Sequence, residues 1–295
     1  MQTLKLTIAY DGTAYGGWQT QVNSPSIQSE IVKAFGQVLR ERVKVTASGR
    51  TDAGVHAIGQ VASCTIAGDL SPDVLLRALN SKLPDDIRIV RCERAAERFH
   101  ALRDAIRKRY RYRIWNGPVA DVFLRNAAWH VPRRLDSEPM RQALARLVGS
   151  HDFACFQSAG SPRKTTVRTL SDASLGCSEF PEATRFRADA DGLERPAQRI
   201  DIELESNGFL YNMARNIVGT LVDVGLGKRS PESMTELLAS RDRRAAGMTA
   251  PPQGLTLLQV WYPSDDTEAI EGDSDPAAAC DDELPSDDAD STRSL

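Results

Sequence analysis

The sequence predicts an α+β protein of two ferredoxin-like domains, each an antiparallel sheet flanked by helices. Two observations predict this class: period-2 and period-3.6 apolar patterns follow one another as strand, helix, strand, strand, helix, strand, and that order recurs in the second half of the chain. Residues 1–10 alternate polar and apolar side chains as a first strand. A glycine-rich loop over 11–19 follows, offering Tyr15 and Trp18 as flat surfaces. Ser24-Pro25 supplies a helix cap and first-turn proline ahead of Ile27, Ile31, Ala34, Phe35, Val38 and Leu39 at helical spacing. Val43–Thr46 and Ala57–Ile66 read as strands around a loop. Ser71-Pro72 starts a second helix through Val74, Leu75, Ala78 and Leu79, and 85–90 returns to a strand.

In the second half Arg109–Trp115 is strand-like, Met140, Leu144, Leu147 and Val148 mark a helix, and strands are expected near Thr166–Leu170 and Arg199–Leu204. Gly149–Phe153 reads as a helix exit turn. Leu210, Met213, Ala214, Ile217, Val218, Leu221 and Val222 form a strong helical stripe, and Leu257–Trp261 is a closing strand. The polar stretch 171–198 is longer than a hairpin needs and reads as an exposed insertion. The expected division is 1–105, 106–263, and a tail 264–295 too acidic and too poor in apolar residues to fold.

The formal net charge of −3 conceals an asymmetry. The tail carries twelve acidic residues and one basic residue, which leaves 36 basic against 28 acidic in residues 1–263, a net of +8. A basic folded part suits a phosphate-bearing partner. The run Arg103–Arg113 interleaves cations with Tyr110 and Tyr112, a composition fit for holding phosphates and stacking bases, or else a strand with a solvated face. No segment has the length of a membrane span or the pattern of a secretory leader, so a cytoplasmic protein is expected. The five cysteines and four histidines lack metal-ligand spacing, so neither metal nor disulfide is expected.

The segment Ala47–Ala57 concentrates the chemistry: a cation, a carboxylate and an imidazole (Arg50, Asp52, His56) lie in a loop bracketed by Gly49 and Gly54. Two residues apart, Arg50 and Asp52 share one side of an extended segment, where the guanidinium would keep the carboxylate ionised. The alternative is a structural pair closing a turn.

The chain resembles the tRNA pseudouridine synthase A (TruA-type) family over roughly residues 3–262. The resemblance rests on Tyr10-Asp11-Gly12-Thr13 with Gly17-Trp18-Gln19, on Gly49–Ala57, on Arg109-Tyr110-Arg111-Tyr112, on His151-Asp152-Phe153, on Gly208–Gly219, and on Thr249–Leu255. It implies RRM-like domains with an active-site cleft between them. It also implies a cofactor-free homodimeric isomerase that converts uridine to pseudouridine at positions 38, 39 and 40 of the tRNA anticodon stem-loop. Asp52 falls on the family's essential aspartate, and each route to the product (attack on C1′, addition at C6, or removal of a sugar proton) needs it ionised. Tyr110 matches a substrate-contacting tyrosine that stacks on uracil and helps remove the C5 proton. Arg215 matches the arginine paired with the catalytic carboxylate, and a cation on an otherwise apolar stripe needs such an anion or a cleft. Arg50 would steer the flipped nucleotide or fill the space it vacates, and Leu255 would wall the base or serve as a core leucine. His56 reads as a loop-orienting hydrogen-bond partner.

Phe99-His100-Ala101-Leu102-Arg103 departs from the family pattern of an arginine directly after Ala101, which puts one basic contact in doubt. The competing readings are a non-catalytic tRNA-binding or RNA-folding module, and a hydrolase. The latter needs a second carboxylate beside Asp52, for which Asp152 is the only candidate.

Overall fold

A computed structural model describes residues 1–160, 165–180 and 196–263. The expected 264–295 tail lies outside the described residues. Within 1–263 the elements are β1 (Gln2–Tyr10), α1 (Ile27–Leu39), β2 (Thr46–Ala47), β3 (His56–Ile66), α2 (Pro72–Asn80), β4 (Ile87–Arg94), β5 (Arg107–Asn116) and β6 (Trp129–Val131). They continue with α3 (Ser137–Ala145), β7 (Gly149–Asp152), β8 (Val167–Phe180), β9 (Ala197–Ser206), α4 (Met213–Gly225), α5 (Ser233–Ser240) and β10 (Leu255–Trp261). No described helix is long and apolar enough to cross a membrane.

The architecture is α+β. Antiparallel pairing runs through each half, and the halves are joined edge to edge into a single mixed sheet of order β4-β1-β3-β10-β5-β9-β8-β7. The junction is the short parallel pair β10–β3, with Thr256 opposite His56. The other parallel pair is β5–β6. Two cores form. In one, Leu4, Leu6 and Ile8 of β1 meet Ile27, Ile31 and Phe35 of α1 and Leu75 and Leu79 of α2. In the other, Tyr112 and Ile114 of β5 and Ile200, Ile202 and Leu204 of β9 meet Met140, Leu144, Ile217 and Leu221 of α3 and α4. Tyr110 packs against both, at the seam.

Several sequence expectations are corrected. The cap of α1 is Ser26, not Ser24: its side chain accepts from Ser29 N–H while the Ser29 hydroxyl accepts from Ser26 N–H, closing a reciprocal box. The strand expected at Val43–Thr46 is reduced to Thr46–Ala47. Val43 and Val45 are buried, but the Val45 carbonyl accepts from the Gln28 side chain (2.9 Å) instead of a strand partner. Gly149–Phe153 is not a helix exit turn. Its first four residues form β7, paired with β8 from Gly149 opposite Leu170 to Asp152 opposite Val167. Most of the supposed insertion 171–198 that is described is sheet. Residues 171–180 extend β8 along β9, Ala197 and Gln198 begin β9, and the rest lies outside the described residues apart from Pro196. Its two buried members, Leu170 and Leu175, are five residues apart, because the strand shifts register between Leu170 and Asp172, and that shift together with a polar solvated face hid the strand from a period-2 reading. Sequence reading also missed β6 and α5.

Helix α4 is buried on nearly all sides and fixes the 246–250 segment against itself. A Cβ built on Gly219 would lie 1.7 Å from the Met248 carbonyl oxygen. Alanine's helix preference over glycine, about 1 kcal/mol, is outweighed by overpacking of about 1–3 kcal/mol or more. Gly219→Ala is therefore expected to lower Tm by several degrees, about 2–4 °C per kcal/mol for a chain this size. An unchanged or raised Tm in a thermal melt would show that the segment yields.

Candidate active site

The β2–β3 connection is held from both sides. Ser48 N–H donates to Val61 O (2.7 Å), and the Ser48 hydroxyl donates to Gln60 Oε1 (2.7 Å). Gln60 Nε2 in turn donates to Gly49 O (3.0 Å). From β5, Lys108 Nζ donates to Ser48 O (2.6 Å). Farther along, Trp18 N–H donates to Thr51 O (3.0 Å), and the Thr51 hydroxyl hydrogen-bonds the buried Tyr10 phenol (2.8 Å), which burial pushes up to about 12. Val55 N–H closes the turn on Asp52 O (3.1 Å), with Gly54 at φ +76°, a backbone region costly for residues bearing a Cβ. His56 ends the loop: Nδ1 accepts from Gly12 N–H (3.1 Å) beside Asp11 Oδ1, and Nε2 lies 3.1 Å from Gln253 O. One imidazole thereby ties the β3 end of the loop to the turn that precedes Leu255.

Asp52 sits in this frame with about a third of its side chain exposed (33%), its Oδ2 3.5 Å from Arg215 Nη1. Burial raises its carboxyl above the usual carboxylate range, and the Arg215 guanidinium opposes that rise without cancelling it. Arg215 itself is fixed from behind: Nε donates to Ala250 O (2.7 Å) and Nη1 to Asn212 Oδ1 (2.9 Å). Tyr110 presents its ring edge-to-face against Phe209, centroids 4.9 Å apart. Its phenol is raised far above the ordinary tyrosine range by burial, then by Tyr10 and by the Asp52 charge, so it stays protonated at neutral pH. Leu255 is buried at the start of β10, opposite Tyr112 and in one core with Val55 and Ala214.

The structure thus brings Asp52, Arg215 and Tyr110 together. It does not pair Arg50 with Asp52. Arg50 is exposed and makes no hydrogen bond or ion pair among the described residues, and the cation at the carboxylate comes from α4 instead. Two-residue spacing places side chains on one side only in an extended strand, and this loop is turned.

Of the two readings of the basic run at 103–113, the ion pairs favour the strand with a charged face. Arg103 pairs with Asp104 (2.9 Å) ahead of the strand, while Arg107 and Arg109 pair with Glu205 (3.2 and 2.7 Å) and Arg113 with Asp201 (2.9 Å), so half of its six cations are paired within the sheet. Asp152, the candidate second carboxylate, pairs with Arg241 (3.1 Å). Sequence reading missed Asn212, whose motif was legible, and Ala250 and Lys108, whose roles arise only through folding. Among the described residues no three His, Cys, Asp or Glu side chains gather as a metal site.

A family model described as tRNA pseudouridine synthase matches residues 6–101 and 143–263. The chain is also similar to the tRNA pseudouridine synthase A of Acetivibrio thermocellus, 41% identical over 262 residues that cover 89% of this chain and all of that relative. It belongs to the tRNA pseudouridine synthase A (TruA) family. The enzymes of that name in Ruminiclostridium cellulolyticum and Pelobacter propionicus are each 42% identical over the same length. The enzyme is accordingly an isomerase that makes pseudouridine from uridine in tRNA. Arg50 and Asp52 lie in the first matched span and Arg215 and Leu255 in the second, while Tyr110 falls between them.

Proposed function

We propose that the enzyme isomerises uridine at positions 38, 39 and 40 of the tRNA anticodon stem-loop, with Asp52 as its catalytic carboxylate. The observation that carries the reading is the partly exposed Asp52 held 3.5 Å from Arg215, with Tyr110 near enough to feel its charge. The reaction breaks the bond from C1′ to N1, holds the freed uracil while it turns, joins C1′ to C5, and loses the C5 proton. Asp52 supplies the anionic oxygen for the first step. Arg215 keeps it ionised against the burial that favours its neutral form.

Tyr110 stacks on the extruded uracil; its hydroxyl, held protonated, is no base for the C5 proton, which leaves to water. Leu255 closes the apolar side of the base pocket. Arg50, exposed and unpaired among the described residues, is available to steer the flipped nucleotide or fill its place. In the same reading the units 1–105 and 106–263 are the two walls of the cleft, the tail 264–295 takes no part, and the enzyme works in the cytoplasm as a cofactor-free homodimer. Family resemblance supports these points except the one about the tail, which lies beyond the matched residues and rests on its acidic composition alone.

The test uses tRNA transcripts tritiated at uridine C5 that retain a single uridine at 38, 39 or 40. Tritium release is expected from each of the three and not from a transcript lacking all of them. Release from that last transcript, or from none, overturns the positional reading.

A further inference from the structure

Asn212 occupies the residue before α4 in a left-handed conformation (φ 59°, ψ 9°) and makes no side-chain cap hydrogen bond to its own helix. An asparagine at this position ordinarily accepts from the first helical N–H groups. Here its Oδ1 accepts from Arg215 Nη1 (2.9 Å) and its Nδ2 donates to the Ser158 hydroxyl (3.1 Å). Ser158 is in turn fixed. Its N–H donates to Tyr211 O (3.0 Å), and its hydroxyl meets Asn216 Nδ2 (3.3 Å). Asn216 is fully buried and is held by Phe156 O, Arg243 and Thr249. A rigid polar chain therefore runs from the interior to the acceptor on which Arg215 rests.

We infer that Asn212 is a positioning residue, whose amide oxygen, together with Ala250 O, fixes the plane of the Arg215 guanidinium so that one edge remains turned to Asp52. A guanidinium is planar with its donors in a rigid fork, so two acceptors at different nitrogens set its orientation and a single acceptor leaves it free to swing. The strained backbone conformation, one that asparagine tolerates better than most residues, aims the side chain toward Arg215 instead of the helix end. This inference rests on the reading of Asp52 as the catalytic carboxylate. The titratable or charged groups that interact with Asp52 are Arg215 from α4 and the Tyr110 phenol from β5.

The test variant is Asn212→Gly, which accepts the left-handed backbone without strain and removes only the side chain. Single-turnover pseudouridine formation is measured across pH beside wild type and Asp52→Asn, with tRNA affinity and Tm alongside. The expected result is a rate about tenfold lower or less at neutral pH, an acid limb moved to higher pH, and affinity and Tm near those of wild type. A rate and acid limb like wild type's overturn the inference while leaving Asp52 in place. So does a lowered rate accompanied by lower Tm and an unmoved acid limb, which marks a structural role. Full activity in Asp52→Asn overturns the reading of Asp52, and the role of Asn212 falls with it.

Discussion

Asp52→Asn is expected to lower the single-turnover rate of pseudouridine formation by about 10³-fold or more, because the variant keeps the shape and loses the anionic oxygen that the proposed reaction requires. Affinity for tRNA should stay within about threefold, since one partly buried carboxylate contributes nothing attractive toward phosphates. Stability should not fall. The folded protein raises the carboxyl of Asp52 above its unfolded value, so folding disfavours the ionised form. That penalty is fully present at pH values above the folded one and disappears as pH drops below the unfolded one. The neutral amide of the variant escapes it, and Arg215 retains Ala250 O and Asn212 Oδ1 as partners. Melting at neutral pH should therefore find the variant at least as stable as wild type, with its relative advantage shrinking as pH falls. A variant that still releases tritium at the wild-type rate sinks the assignment of Asp52.

Removing the opposing cation should move the pH dependence. Arg215 is the cation set against burial at Asp52, so in Arg215→Gln the carboxyl rises further and a smaller fraction is ionised at any given pH. The acid limb of the single-turnover profile should shift upward, and the rate at neutral pH should fall about 10²-fold, from lost ionisation and lost orientation together. Arg215→Lys separates the two. A lysine restores charge but cannot donate at once to Ala250 O, Asn212 Oδ1 and Asp52 in one plane. Its acid limb should lie nearer wild type while its rate stays depressed. An acid limb unmoved in Arg215→Gln would show that another group sets the ionisation of Asp52.

The glycine-bracketed carboxylate at Asp52 was legible in the sequence because loop, spacing and flanking strands are local. Arg215 was legible for a different reason, as a lone cation on an apolar helical stripe. What was not legible depended on which way a side chain turns once neighbours arrive. Arg50 is adjacent in sequence and remote in contact, whereas Asn212 and Ala250, beyond the reach of periodicity, orient the cation that matters. The strand β8 was mistaken for an insertion because an edge-side strand with a wet face carries few apolar residues. The two readings of the cations of β5 could not be separated in the sequence, because the acidic residues that pair with them stand on β9, nearly a hundred positions away for Arg107 and Glu205.

The parallel junction of β10 with β3 has a kinetic meaning. It joins segments far apart in the chain, as does the His56 bond to Gln253, whose partners are 197 positions apart. Loop closure over that span must be met before the contact returns anything, so it forms late in folding. Until then the His56–Ala57 start of β3 lacks its parallel partner, and His56 lacks its bond to Gln253. Docking of β10, which pairs with β3 on one side and β5 on the other, is thus the step that joins the half bearing Asp52 to the half bearing Arg215.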